Sequence, residues 1–138
     1  MKVENALHPT EEQMAGFAAD DHGKPIYMVN AVKFREKAEY PDGRASDISG
    51  AEAWSLYVEG TRPHIEAMGG GIAFMGDIER LLIGDVEEMW DQIVIVNFPS
   101  RSAMAEFVTS ETYAEILPHR LAGLAGQLNI ETTKPPAA

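Results

Sequence analysis

Apolar residues recur along this chain in two rhythms, one helical and one alternating. Met14, Phe17 and Ala18 form a stripe behind Thr10 and Gln13, whose side chains fit a capping box, and predict a short helix over Glu11–Ala19. Ile26–Phe34 alternates: Ile26, Met28, Val32 and Phe34 share one face, and Tyr27, Val29 and Ala31 share the other. Both faces are apolar, so both are expected to be covered. Ser49 and Glu52 form a second capping box, followed at helical spacing by Trp54, Tyr57, Val58, Thr61, Ile65 and Met68. Pro63 is expected to kink or restart that helix, and Gly69-Gly70-Gly71 to stop it.

The second half repeats the scheme. Residues 72–83 predict a strand with Ile72, Phe74 and Ile78 on one face, then a turn at Gly84-Asp85. Residues 89–98 predict a third strand, and its unbroken Ile93-Val94-Ile95-Val96 run marks it as central. Ser100 fits the cap of a helix with Ala103, Met104, Phe107 and Val108 on its apolar face. Ser110 fits the cap of another, with Tyr113, Ile116, Leu117, Leu121 and Leu124, which Pro118 breaks unless it opens a new turn. Leu128, Ile130 and Thr132 alternate in a final strand.

This order predicts an α+β fold of ferredoxin-like β-α-β-β-α-β topology, with an antiparallel sheet and an extra N-terminal helix. The expected organisation is an N-terminal helical extension over 1–24, one domain over 25–133 and a tail over 134–138. Helices cover one sheet face, so the apolar second face is expected to meet a second copy, giving a homodimer joined through the sheet. The first and third strands are expected side by side and parallel. Their C-terminal ends would then share one edge with the long charged segment 35–48, with its Pro41-Asp42-Gly43 turn, and with the helix starts at Ser49 and Ser100.

Composition narrows the picture further. The chain has 138 residues, one domain's worth, and can bury enough surface to fold without a staple. It has no cysteine, which excludes disulfides, thiol nucleophiles and thiolate metal sites and suits a cytoplasmic location. The first residues lack the apolar run of a signal peptide, and no window reaches the ~20 apolar residues of a membrane span, so no membrane association is expected. Eleven basic residues against twenty-two acidic ones give a formal charge of -11, which repels nucleic acid.

Five segments carry a family resemblance: MVNAVKF from Met28, AEYPDGR from Ala38, LLIGD from Leu81, WDQIVIVNFPSRSAMAEFVTSETY from Trp90, and HRLAGL from His119. Together the chain resembles the domain-of-unknown-function 1330 family, within the dimeric α/β-barrel group of ferredoxin-like proteins, from Thr10 to Thr132. The resemblance implies the fold and a dimer, and no reaction.

Candidate chemistry therefore rests on single residues. His119 and Arg120 pair a base with a cation able to hold a carboxylate or enolate oxygen, or else neutralise a helix end. Asp91, beside Trp90, is a base at a pocket mouth or a solvated strand end. Tyr57 turns its hydroxyl into a cavity or into the core, and Asn30 pins the core or lines a pocket. Lys33, Arg35, Arg44 and Arg101 gather near the two helix starts at the shared edge, a setting for a carboxylate-bearing ligand. His64 reads as a partly exposed helical residue. No HxH or HxxxH pair calls for a metal, and no glycine elbow surrounds Ser100 or Ser110. Two functions follow: a protein that binds or transforms a small organic molecule without a cofactor, or a non-catalytic dimerisation or regulatory module.

Overall fold

A computed structural model describes residues 6–19 and 21–136. Residues 1–5 and 20 of the expected extension, and 137–138 of the expected tail, lie outside the described residues. The elements run α1 (Glu11–Ala19), β1 (Ile26–Phe34), α2 (Gly50–Ala67), β2 (Gly71–Asp77), β3 (Gln92–Phe98), α3 (Arg101–Val108), α4 (Glu111–Gly123) and β4 (Leu124–Thr132). No helix among the described residues is long and apolar enough to cross a membrane.

The helix starts follow their capping residues. Thr10 Oγ1 accepts from Gln13 N while Gln13 Oε1 accepts from Thr10 N, and Ser49 and Glu52 exchange the same pair of bonds. Ser100 and Ser110 each accept from the backbone N–H three residues on. Both prolines sit inside helices that continue through them. The carbonyls they deprive belong to Glu59 and Ala114, both exposed residues, where water can take the place of the lost N–H.

All strand pairs are antiparallel, in the order β2-β3-β1-β4, and the sheet is open with β2 and β4 at its edges. This corrects the expected parallel pairing of the first and third strands. The start of β3 lies against the end of β1, where Val32 pairs with Gln92, while Phe98, next to Ser100 and Arg101, lies against Ile26. Arg101 is therefore at the opposite sheet edge from Lys33, Arg35 and Arg44.

Strand limits are also tighter than expected. β2 ends at Asp77 and β3 begins at Gln92, leaving 78–91 as an irregular connection. Pairing ends where the Asp91 carbonyl accepts from Ile78 N and Asp91 N donates to Val32 O. A bulge between Ile72 and Phe74 puts those two residues on opposite faces, where strict alternation puts them on one.

Register assigns the two faces. Ile26, Met28, Asn30 and Val32 are buried beneath α2, α3 and α4, together with Val94 and Phe98. Tyr27, Val29, Ala31, Ile93, Ile95, Phe74, Leu128 and Ile130 share the open face, and Phe74 is 55% exposed.

Segment 35–48 is irregular but pinned. Arg35 N donates to Gly123 O at 2.8 Å, Glu39 N to Ala122 O and Ala38 N to Ile48 O, and Ala38 is buried against Ala53 and Ala122. Two glycines make this junction possible. A Cβ on Gly50 would fall 2.0 Å from Arg35 O and 2.7 Å from Gly123 O, and one on Gly123 would fall 2.6 Å from Gly50 O. The start of α2 and the end of α4 thus touch backbone to backbone.

Gly50→Ala is expected to destabilise the fold by roughly 1–3 kcal/mol or more, because backbone on both sides must shift. Gly16→Ala, in α1 with nothing within 4 Å of the new Cβ, is expected to stabilise by up to about 1 kcal/mol. Urea midpoints measure both, and equal midpoints would contradict the close approach.

Candidate functional site

Asn30 sits at the centre of the helix-covered sheet face with all four hydrogen-bonding positions used. Its amide donates to Met28 O at 3.3 Å and Val94 O at 3.2 Å. Its oxygen accepts from Gln127 and Asn129, both at 3.0 Å. Gln127 in turn accepts from Arg120 Nη1 at 2.7 Å, and the same nitrogen donates to Leu7 O at 2.8 Å. Arg120 is only 9% exposed. Above the sheet Tyr57 and Tyr113 share a hydrogen bond of 2.8 Å, and burial, with Tyr113 second, holds the Tyr57 phenol well above its ordinary pKa. Met28, Phe107 and Tyr113 pack one cluster here with Tyr57 against it.

His119 and Arg120, neighbours in sequence, point to different places because successive helical residues diverge by about 100°. Arg120 reaches the sheet. His119 meets segment 35–48, where its Nδ1 lies 2.7 Å from Tyr40 Oη and the rings meet edge to face. Arg44 lies over the Tyr40 ring at 4.6 Å, and Asp42 holds its Nε and Nη2. Burial and then the Arg44 charge lower the His119 pKa from its ordinary 6.5.

A third cluster lies where the start of β3 meets the end of β1. An open cleft of about 410 Å³ is lined by Phe34, Trp54, Val58, Met75, Asp77 and Asp91, with Ala51, Ser55, Glu59 and Gln92 completing its wall. Trp54 Nε1 donates to Gln92 Oε1 at 2.8 Å, and Gln92 Nε2 donates to Asp77 Oδ1 at 3.0 Å. Asp91 Oδ2 accepts from Phe34 N at 2.7 Å, closing the strand end, and its other oxygen has no partner among the described residues.

The remaining expected residues disperse. Lys33 is paired with Glu88. Arg101 grips both oxygens of Glu131 at 2.6 and 2.7 Å and lies over Phe17, joining α3 to β4 and α1. Trp90 is half-buried. His64 is exposed and stacks on Phe107. The structure thus brings Asp91 to the cleft and Asn30 to Arg120, and separates Arg44 from Arg101. Sequence reasoning missed Asp77, Gln92, Gln127 and Asn129. The signal was the polar run on alternate positions of β4, Gln127, Asn129 and Glu131, in register with β1. No cluster of three or more His, Asp or Glu able to hold a metal occurs among the described residues.

A small α+β domain with an open four-stranded antiparallel sheet and these polar clusters is the class the geometry defines. Residues 40–130 match the family described as "Domain of unknown function (DUF1330)", and the chain belongs to that family. A structure of RPA0582, a protein of unknown function from Rhodopseudomonas palustris, shares 35% identity over 96% of this chain and 100% of its own, with a TM-score of 0.84. A structure of methylated RPA0582 gives 36% identity, 96% coverage of both chains and a TM-score of 0.86. At3g17210 from Arabidopsis thaliana, 14% identical over 82% of this chain and 98% of its own, shares the fold alone at a TM-score of 0.53. No curated protein matches the sequence significantly.

The depressed His119 pKa has a defined sign. As pH falls through 6.5 the unfolded chain takes up the proton before the folded one does, so stability falls from there until folded His119 is itself protonated. Glu131, whose pKa is lowered by Arg101, loses its contribution only at lower pH, below the ordinary 4.5. His119→Gln is expected to flatten the fall in thermal stability that begins as pH drops through 6.5 and to leave the acidic limb below 4.5 in place. An unchanged curve between those two values would contradict this.

Proposed function

We propose that the chain works as a homodimer of ferredoxin-like subunits, a dimeric α/β barrel, and binds a small organic molecule in the cleft under α2 without a cofactor. The observation that carries the ligand reading is the convergence on that cleft of the Trp54–Gln92–Asp77 hydrogen-bond chain and the unengaged oxygen of Asp91. Its volume lies in the range of small-molecule sites, and its lining mixes apolar walls with a few oriented polar groups. Glu59, Asp77 and Asp91 make the wall acidic, so a carboxylate-bearing ligand finds no complement there. A neutral or amine-bearing molecule that donates hydrogen bonds does. Asp91 then serves as the proton acceptor and Asp77, held through Gln92, as the orienting group.

The dimer reading rests on the open face, where Val29, Ile93, Ile95, Phe74 and Ile130 form one apolar patch. That patch also favours the second reading, a non-catalytic dimerisation module in which the cleft is unused.

Sedimentation is expected to give twice the 15.1 kDa chain mass at micromolar concentration, and Ile95→Asp, in the central strand, is expected to give 15.1 kDa. A wild-type monomer would remove the dimer. The ligand reading is tested by titrating neutral, amine-bearing and carboxylate fragments while following the indole N–H resonance of Trp54. Neutral or amine-bearing compounds are expected to shift it, and Asp77→Asn to weaken them by about tenfold, the ratio for 1.4 kcal/mol. A resonance that no compound moves would leave the dimerisation module standing.

A further inference from the structure

Arg120 is a charged side chain in a place where charges are rarely left unpaired. Both of its hydrogen bonds leave from one nitrogen, Nη1, and both go to neutral oxygens, Leu7 O and Gln127 Oε1. Its Nε is buried and has no partner. Every ion pair among the described residues involves other cations: Lys33, Arg35, Arg44, Arg62 and Arg101. Withdrawing a guanidinium from water without an opposite charge is unfavourable by several kcal/mol. Lys33 and Arg101, which are more exposed, both have a carboxylate.

The cover over Arg120 is slight. Residues 6–9 precede α1 and cross the outer edge of β4. They are held by an isolated bridge from Ala6 to Gln127, by the Leu7 carbonyl on Arg120, and by the Leu7 side chain packed on the cluster of Val32, Trp54, Val58, Val94 and Leu124. His8 and Pro9 are exposed. Lifting this strap would free Nη1 of the Leu7 carbonyl and vacate an apolar seat the size of one leucine side chain. The floor is already fixed, because Gln127 is tied to the fully satisfied Asn30.

We infer that Arg120 and the seat of Leu7 form a binding site for a small carboxylate with an apolar body, closed in this structure by the strap of residues 6–9. The chemistry follows the unpartnered edge of the guanidinium. Nε and Nη2 present the parallel pair of N–H groups that a carboxylate takes in bidentate form, while Nη1 stays on Gln127. The ligand's hydrocarbon part replaces Leu7 on the apolar cluster. Its polar end lies on the β4 side of the sheet and its apolar seat backs on the Trp54 and Val58 cluster that also walls the acidic cleft, but Arg120 does not line that cleft and the proposal does not rest on it.

The test uses the full chain and the Nε–Hε resonance of Arg120. Hexanoate and phenylacetate are the probes, with hexanamide and phenylacetamide as uncharged controls. The carboxylates are expected to shift the Nε–Hε signal saturably, and the amides to bind at least about tenfold more weakly. Arg120→Lys keeps the charge, loses the fork, and is expected to weaken the carboxylates by a similar factor. Leu7→Gly, which loosens the strap, is expected to tighten them several-fold. An Nε–Hε signal that the carboxylates leave unmoved, or amides that bind as well as the acids, would overturn the site. Should Arg120→Lys fail to fold, the wild-type resonance and the amide controls still decide.

Discussion

The carboxamide of Asn30 is the interaction on which the rest of this structure depends. It lies at the centre of the sheet, in β1, and ties its own strand to β3 through Val94 and to β4 through Gln127 and Asn129. A buried amide with every position filled is neutral to stability or better, but each partner it leaves unsatisfied costs about 1–3 kcal/mol. A slip of one residue between β1 and β4 would strand several such groups at once. The polar knot therefore sets register where the apolar faces alone would tolerate an error.

That constraint reaches outward along two lines. Through Gln127 it holds the end of Arg120, and so locates α4 over β4. The same end of α4 meets the start of α2 at Gly123 and Gly50, whose bare backbones leave no room for a side chain. Segment 35–48 is captured in that contact, with Arg35 N on Gly123 O and Glu39 N on Ala122 O. A stretch that reads as a long charged loop is in consequence tightly held, and its Tyr40 reaches His119. Its charges contribute little to this. The backbone bonds and the buried Ala38 do the holding.

The sequence made the helices legible because their signals are local. Ser49 with Glu52, Ser100, Ser110 and Thr10 with Gln13 act over three residues and need no knowledge of the rest of the chain. The apolar run at Ile93–Val96 likewise marked a central strand. What failed was long-range. The direction of β3 beside β1 follows from how the chain crosses over, and reading it as parallel put Arg101 on the wrong edge. The bulge at Ile72/Phe74 breaks alternation just after Gly69-Gly70-Gly71, glycines that read as the stop of the preceding helix rather than as a bulge signal. Asp91 was visible as a polar residue at a strand start. Its companions Asp77 and Gln92 were not, because the cleft they line exists only once β2 and β3 are paired.

The charge of the chain takes a different meaning once the pairs are known. An excess of acid suggests that any cation will find a partner, and this holds for Arg44 with Asp42, Arg62 with Glu59, and the half-buried Arg101 with Glu131. The two exposed pairs contribute little, since water serves either partner nearly as well. Arg120 is the opposite case. It is the most deeply buried of the described cations that make a hydrogen bond, and it bonds only neutral oxygens while an acidic cleft lies elsewhere on the same domain. An apolar side chain of similar length would avoid the desolvation of a guanidinium but would leave Gln127 Oε1 and Leu7 O without their donor. The guanidinium is retained where it touches the polar knot of the sheet on one side and a lightly held strap on the other. Position and charge together distinguish it from every paired cation on the surface.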